Sequence, residues 1–532
     1  MKLKTIKISL AFALLVLGGC KNYNELVVNP NLPTSVPASL LFTNVLNQLG
    51  DDLAWSGAQT FNQFYISTYT YYGTNNYDQS PFINTNFGGS NPDGVGSSSY
   101  YLTLENVVRM EVEAKKAGAA DTNPYAALGK FFRAYYYNLM SQKFGDLPVS
   151  SALQGAVNPT PKYDTQKQLY IQVLQWLDDS NTMLTQLIAN KDASLSGDIY
   201  LNNSLQAWQK IVNSFTLRVV VSLNKKAVDQ DLNVKQKFAA IVGNPAKYPI
   251  LSGNADNVQF IYNASFTPYP KTPGNYLQTN TRENISATIL NLTTSLNDPR
   301  TYVIATPAPA QLKAGKTISD FTAYVGASPG DDMGLLGINS QAGVYSFENV
   351  LRYASTYDGS NAEPSIIIGY PEMCFNIAEG INLGWAAEPS ATWYVNGITA
   401  SMNFLGIKDN AVVTVADNTQ KVLGTIPVSL SNYLAQASVQ YLGDNAAGLN
   451  QILTQKYIAF WQNSNWEAFF NQRRTGVPTF LTGPGTGNNA KLPLRWQYPF
   501  REASANAANY KAAVQSQYNG ADDLNGKMWI LQ

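Results

Sequence analysis

"PYAALGKFFRAYYYNLMSQKFGDLP", residues 124–148, is the stretch that decides the fold. Apolar residues recur in it every three or four positions, so one face of a helix would carry Leu128, Phe131, Tyr135 and Leu139. Pro124 suits the first turn of a helix, and Gly145 followed by Pro148 is a stop signal. The stretch therefore predicts one amphipathic helix over 124–144.

The same spacing recurs along the chain and groups the predicted helices into pairs. The four pairs lie near 100–144, 165–228, 371–405 and 446–475. We expect N-caps at Asp164 or Thr165 and at Asn203 or Ser204. No pair of this length can bury its apolar face alone, so the sequence predicts a mainly α fold in which about four hairpins stack as a tetratricopeptide-like scaffold.

Two long regions interrupt this helical pattern. Residues 55–100 and 243–362 are rich in Gly, Asn, Pro and Tyr, and they contain short β-like fragments such as "NVQFIYNA". Loops longer than about 15 residues are usually functional or disordered, and the aromatic content argues against disorder. We therefore predict two loop-rich excursions from the scaffold, with minor short strands.

The N-terminus has the pattern of an exported, lipid-modified protein. Lysines precede an apolar run over residues 8–17, which is too short to cross a bilayer; no other stretch is long enough, so no transmembrane helix is predicted. The sequence LGGC at 17–20 resembles a bacterial lipobox, which implies removal of residues 1–19 and acylation of Cys20. The alternative is a secreted protein whose signal happens to contain Cys20. We expect residues 20–37 to be a tether and 38–532 to be a single domain.

The composition excludes several classes of function. After removal of residues 1–19 the chain has 33 basic residues (36 − 3) against 36 acidic ones, a net charge of about −3. Nothing therefore indicates a nucleic-acid partner, which would need a clustered basic surplus. The chain has no histidine, which removes Ser-His-Asp and Cys-His catalysis and histidine metal sites. With Cys20 acylated, Cys374 has no partner for a disulfide, and we expect it in the core.

The catalytic motif that the sequence matches lacks a group that its chemistry requires. "GASPG" at 326–330 matches a nucleophile elbow, but the residue after Ser328 is Pro329, which has no N–H for an oxyanion hole. A pair of carboxylates, as glycosidases need, is harder to exclude; Glu372 and Glu379 lie seven positions apart on one predicted helix. We expect these two to have a structural role. No cofactor is predicted, and incidental calcium at "DDLNG" (522–526) stays open.

Three further stretches resemble the SusD/RagB family of surface lipoproteins, in particular its second SusD-like branch. They are "YPEMCFNIAEGINLGW" (370–385), "QKYIAFWQNSNWEAFFNQRRTGVP" (455–478) and "LPLRWQYPFREASANAANY" (492–510). With the lipobox, the resemblance runs from Cys20 to the C-terminus. Pro371 and Gly380 depart from the small helix formers usual in the family.

The resemblance implies a binding protein and no enzyme activity. Such proteins are anchored in the outer membrane through the acylated cysteine and face the extracellular side. They act as a lid on a SusC-like TonB-dependent barrel and capture an oligosaccharide or polysaccharide. The alternatives are a lid that binds peptides in a RagB-like importer, a cell-surface glycosidase, and a helical adaptor that binds only protein. The near-neutral charge favours a neutral glycan.

The excursions supply the predicted ligand contacts, since tyrosine rings can pack on sugars and amides can bond to hydroxyls. The first excursion contains Tyr69, Tyr71, Tyr72, Asn75, Asn76 and Tyr77, and the second contains Tyr269, Tyr276 and Arg282. The alternative for each of them is packing of a loop against the scaffold.

Overall fold

Helices dominate the structure, as the apolar spacing predicts. The computed structural model describes residues 35–50, 68–70, 98–262, 283–349, 352, 363–486 and 488–532. Within these ranges the secondary structure is mostly α-helical with a few short strands, so the predicted mainly α class is confirmed. None of the helices in these ranges combines the length and the apolar character that crossing a bilayer requires.

The described part of the chain contains seventeen α-helices and six strands. The helices are α1 (Ala38–Gly50), α2 (Ser98–Lys116), α3 (Pro124–Phe144), α4 (Gln166–Ala189), α5 (Leu205–Ser222), α6 (Val234–Gly243), α7 (Ala287–Ser295), α8 (Arg300–Ile304), α9 (Pro309–Lys313), α10 (Met333–Gln341), α11 (Tyr370–Asn382), α12 (Ser390–Phe404), α13 (Leu430–Leu434), α14 (Ala446–Ala459), α15 (Glu467–Thr475), α16 (Glu502–Ala505) and α17 (Ala507–Tyr518). The strands are β1 (Thr68–Thr70), β2 (Val258–Phe260), β3 (Glu283–Ile285), β4 (Ser365–Ile368), β5 (Ala411–Ala416) and β6 (Val422–Val428).

Helix α3 begins and ends as its sequence predicts. The side chain of Asn123 accepts a hydrogen bond from the N–H of Ala126 at 3.0 Å, and Pro124 occupies the first turn. At the other end Gly145 has a φ of 95°, a backbone conformation that favours glycine. The predicted apolar face is buried at all four positions, Leu128, Phe131, Tyr135 and Leu139.

The second helical pair shows which of the alternative caps is used. Thr165 caps α4 in a capping box: it accepts from the N–H of Gln168, and the Gln168 side chain accepts from the N–H of Thr165 at 3.0 Å. Ser204 caps α5 by accepting from the N–H of Ala207 at 3.2 Å. Both residues are among the N-caps that the sequence predicts.

The helical pairs stack on one another around a shared core. Helix α2 packs on α3, α3 on α4, and α4 on α5, while α11 packs on α12, on α14 and on α5. Buried apolar residues of these helices form one continuous hydrophobic cluster. The end of the chain returns to the first two pairs: Tyr518 donates its hydroxyl to the carbonyl of Phe144 at 2.9 Å, and the N–H of Ile530 donates to Gln166 Oε1 at 3.0 Å.

The second excursion contains more helix than its sequence predicts. Helices α7 to α10 lie within 243–362, where we expect mainly loop, and each has only five or nine residues. Helices of one to three turns are too short to show a clear 3.6-residue period, which explains why the spacing does not reveal them. The β5–β6 hairpin is also missing from the prediction, because exposed and buried positions do not alternate cleanly in strand β6.

Gly380 on α11 is explained by a close neighbour. A Cβ at this position would approach the ring of Phe238, on α6, more closely than carbon atoms can. We expect Gly380→Ala to lower the free energy of unfolding by about 1–3 kcal/mol, although alanine is the better helix former. Chemical denaturation would measure this change.

Two companion variants test the reason for this loss. At Gly243, near the end of α6, an added Cβ would meet open space, so Gly243→Ala should cost nothing. Phe238→Leu should recover part of the stability of Gly380→Ala. If Gly380→Ala is as stable as the parent chain, contact with Phe238 does not determine the choice of glycine.

Candidate functional site

A two-stranded ribbon joins the two excursions. Strand β1, from the first excursion, pairs antiparallel with β3, from the second, and Tyr69 lies opposite Asn284. Strand β3 is held in turn by the rest of the second excursion, since the N–H of Ile285 donates to the carbonyl of Ser346 at 3.1 Å. Asn284 is fully buried, and its Nδ2 donates to the same carbonyl at 3.3 Å. The ribbon is therefore fixed on its β3 side to the rest of the second excursion.

In the chain, one group of predicted ligand contacts begins in β1 and continues after it, and the other group comes before β3, its partner in the ribbon. Thr70 and Glu283 are partners in the register, and the chain continues from them into segments 71–97 and 263–282. Of the predicted contacts only Tyr69 lies within the described residues, where its backbone belongs to β1. The others, Tyr71, Tyr72, Asn75, Asn76, Tyr77, Tyr269, Tyr276 and Arg282, lie outside the described residues, as does Cys20. Their roles stay predictions.

The two carboxylates considered for a glycosidase are engaged in buried ion pairs. Glu372 accepts from Arg218 of α5, with Nε–Oε1 at 2.6 Å. Glu379 accepts from Arg474 of α15 at 2.6 Å and from Lys456 of α14 at 3.2 Å. Burial would raise the pKa of Glu379, but the two cations outweigh it and hold the pKa below its usual value. These contacts give both carboxylates the structural role that we expect for them.

A third carboxyl, Glu467, lies beside this cluster, and within the described residues no cation is hydrogen-bonded to it. It is buried, and its described partner is Asn471, whose Nδ2 is 3.5 Å from Oε2. Burial raises the pKa of Glu467 to about 7; the positive charge of Arg218 opposes the rise and the negative charge of Glu372 adds to it. The adjoining cavity is only about 10 Å³, room for about one water molecule and not for a sugar. The cluster therefore offers no place for a substrate.

Two other residues considered in the sequence, Cys374 and Asp522, are also held in place by contacts that belong to the fold. Cys374 is fully buried in α11, and burial raises the pKa of its thiol to about 12, which makes it unreactive. Asp522 of "DDLNG" accepts from Arg495 at 2.5 Å and from the hydroxyl of Tyr510 at 3.0 Å. Among the described residues there is no cluster of three acidic, cysteine or histidine side chains that would hold a metal ion.

The structure also contains a surface cavity that the sequence does not predict. One of the helices that line it, α7, directly follows β3 in the chain. The cavity measures about 300 Å³ and lies between α7, α14 and the segment that follows α15. Its polar lining residues include Thr288, Asn291, Asn450 and Thr454, and its apolar ones include Leu292 and Pro478. The residues come from parts of the sequence more than 150 positions apart, so no local signal could have grouped them.

Most of the chain is similar to known proteins of one family. A family model described as "Starch-binding associating with outer membrane", SusD-like_2, matches residues 30–499. The search of curated proteins found no match.

Solved structures show the same similarity. A SusD homologue from Bacteroides fragilis is 29% identical, with a TM-score of 0.79, and the match covers 93% of this chain and 100% of that one. An outer-membrane protein from Bacteroides vulgatus, described as probably involved in nutrient binding, is 27% identical with a TM-score of 0.76, covering 93% and 100%. A second Bacteroides fragilis homologue is 26% identical with a TM-score of 0.73, covering 94% and 100%. The chain therefore belongs to the SusD-like_2 family.

Proposed function

We propose that this protein captures a neutral oligosaccharide or polysaccharide at the outer surface of the outer membrane. The observation that carries the proposal is the β1–β3 ribbon, because it joins two Tyr- and Asn-rich excursions at Thr70 and Glu283. Ring faces and amides from both excursions would then contact one glycan. The family's description as starch-binding and associated with the outer membrane supports the same ligand class.

The proposal includes an anchor and a partner. Acylated Cys20 would hold the protein in the outer membrane, and residues 20–37 would act as the tether. A SusC-like TonB-dependent barrel would receive the glycan, with this protein as its lid. Catalysis is not part of the proposal: Glu372 and Glu379 are bonded to cations in the core, and the chain has no histidine.

Replacing Tyr71 or Tyr72 with alanine should weaken glycan binding about tenfold or more, since each change removes a ring face from the ligand. Calorimetric titration of residues 21–532 with plant, host and microbial polysaccharides would measure the change, with release of reducing sugar assayed in parallel. Tyr510→Ala is the matched control, because this half-buried tyrosine lies on α17, outside both excursions.

The same titrations distinguish the alternatives. Binding of a mixed oligopeptide pool, with no response to any glycan, would make the protein a peptide importer's lid. Turnover of a glycan would identify a glycosidase. Binding to a barrel partner alone, with no small ligand, would favour an adaptor.

A further inference from the structure

A groove lies at the end of the scaffold where the described chain begins. It measures about 680 Å³ and lies between the residues that precede α1, the turn from α2 to α3, and the segment that follows α4. The α2 side of the groove is made mainly of small residues, which are Ala114, Ala117, Gly118, Ala119 and Ala120. Gly118 has a φ of 91°, and its N–H donates to the carbonyl of Lys115 at 2.9 Å, so that α2 ends in a turn that favours glycine. The groove is therefore a preformed feature of the fold.

The chain enters the domain along this groove. Ser35, Val36 and Pro37 are themselves part of its lining. The hydroxyl of Ser35 donates to Glu113 Oε2 at 2.6 Å, and the side chain of Glu113 is only 4% exposed. Val36 packs against the hydrophobic core. Because consecutive Cα atoms are only about 3.8 Å apart, the residues before Ser35 start from the groove.

The charged side chains of the lining already have partners. Lys116 donates to Glu113 at 2.9 Å, and Asp192 accepts from the N–H and the hydroxyl of Ser194 at 2.9 and 2.7 Å. An occupant therefore needs no charge of its own, and the small apolar residues of the α2 side suit an apolar side chain.

The segment immediately before Ser35 has this character. It is PNLPT, residues 30–34, which contains no charged residue and lies outside the described residues. Pro30 and Pro33 fix their own φ angles and restrict the residues before them to extended conformations, so the segment loses little chain entropy when it binds. Leu32 supplies the apolar side chain. The family model begins at residue 30, so the segment belongs to the part of the chain that matches the family.

We propose that residues 30–34 bind in this groove in an extended conformation, with Leu32 against the alanines of the α2 side. The proposal goes beyond the proposed function, because it concerns the anchor and needs no glycan. Burial of Leu32 would drive the contact, and the hydrogen bond from Ser35 to Glu113 places the segment at the edge of the groove.

Docking of this segment would shorten the free tether. Fifteen residues, 20–34, precede Ser35 in the predicted mature chain (34 − 20 + 1), and ten of them, 20–29, would stay free (29 − 20 + 1). At about 3.5 Å per residue, the reach of the extended tether would fall from about 50 Å to about 35 Å. The domain would then be held with the turn from α2 to α3 nearest to the lipid anchor.

The test measures how fast a maleimide reacts with a cysteine at residue 32 of the full-length protein in detergent. Leu32→Cys keeps a small apolar side chain, and Asn22→Cys, in the same tether, is the matched control. The parent chain gives the background from Cys20 and from the buried Cys374, and rates in urea correct for intrinsic reactivity. We expect Leu32→Cys to react at least about tenfold more slowly than Asn22→Cys.

A second change tests the location of the docked segment. Ala117→Trp, at an exposed position of the lining, should fill the groove and bring the rate at residue 32 to within about twofold of the rate at residue 22. Ala391→Trp is the control, because Ala391 is exposed near the start of α12 and does not line the groove. Circular dichroism of both tryptophan variants should match that of the parent chain, which separates loss of docking from loss of the fold.

Equal rates at residues 22 and 32 would overturn the proposal, and so would a slow reaction at residue 32 that Ala117→Trp does not relieve. Protection only at high protein concentration would assign the contact to a second copy of the chain, and protection only beside a co-purified barrel would assign it to that partner. Either result overturns docking within one chain. Glycan titration of the same proteins is independent of these rates, so absent glycan binding would contradict the proposed function and leave this proposal intact.

Discussion

Glu379→Gln is expected to lower the free energy of unfolding by about 3–5 kcal/mol, because it leaves two buried cations without their anion. Arg474 and Lys456 are each at most 3% exposed, and both bond to this one carboxylate. Burial already lowers the pKa of Lys456, so loss of the carboxylate would favour its neutral form and relieve part of the cost. The guanidinium of Arg474 has no such route.

Denaturation in guanidinium chloride, followed by tryptophan fluorescence, would measure the loss. The control is Asp121→Asn, which breaks an ion pair with Lys115 at the surface, where the two side chains are 94% and 59% exposed. Exposed pairs contribute little, so we expect no measurable change from the control. Equal stabilities of Glu379→Gln and the control would show that the buried pairs do not hold the helices together.

Glu467→Gln is expected to stabilise the protein, and only above about pH 5. Burial raises the pKa of Glu467 from 4.5 to about 7 in the folded state. Below pH 4.5 the folded and unfolded states both hold the proton, so the glutamate costs nothing. Between pH 4.5 and about 7 the unfolded state loses its proton first, and the stability of the parent chain falls as pH rises. The gain from glutamine should therefore grow through this window to roughly 3 kcal/mol at pH 8.

Unfolding curves at pH 4, 6 and 8 for the parent chain and the variant would test this prediction. Glu105→Gln, at an exposed position on α2, is the control and should show no growing gain. If Glu467→Gln raises the free energy of unfolding as much at pH 4 as at pH 8, packing and not ionisation causes the difference in stability between glutamate and glutamine. A loss of stability at pH 8 would mean that Glu467 is ionised and held by its cationic neighbours.

The local features of the scaffold could be predicted from the sequence. The period of apolar residues, Pro124 and Gly145 determine α3, because all of this information lies within one helix. The caps Thr165 and Ser204 follow from short-range rules in the same way. The short helices α7 to α10 could not be predicted, because one to three turns give too few residues for a period to stand out.

Features that depend on distant parts of the chain could not be predicted. From the sequence we expect a structural role for Glu372, but its partner Arg218 lies 154 positions away, and no local pattern identifies it. The cavity beside α7 is a stronger example, since Thr288, Asn450 and Pro478 line it together although they are far apart in the sequence. The pairing of β1 with β3 could not be predicted either, because each strand has only three residues.

The ribbon also has a consequence for how the protein folds. Its partners Thr70 and Glu283 are 213 positions apart (283 − 70), whereas the helices of each pair are near neighbours in the chain. Closing so long a loop costs chain entropy before any contact repays it, so local helical pairs should form first and the ribbon late. A chain arrested before that step would have nearly the full helical content and no joined excursions. Glycan capture would therefore report complete folding more sensitively than circular dichroism.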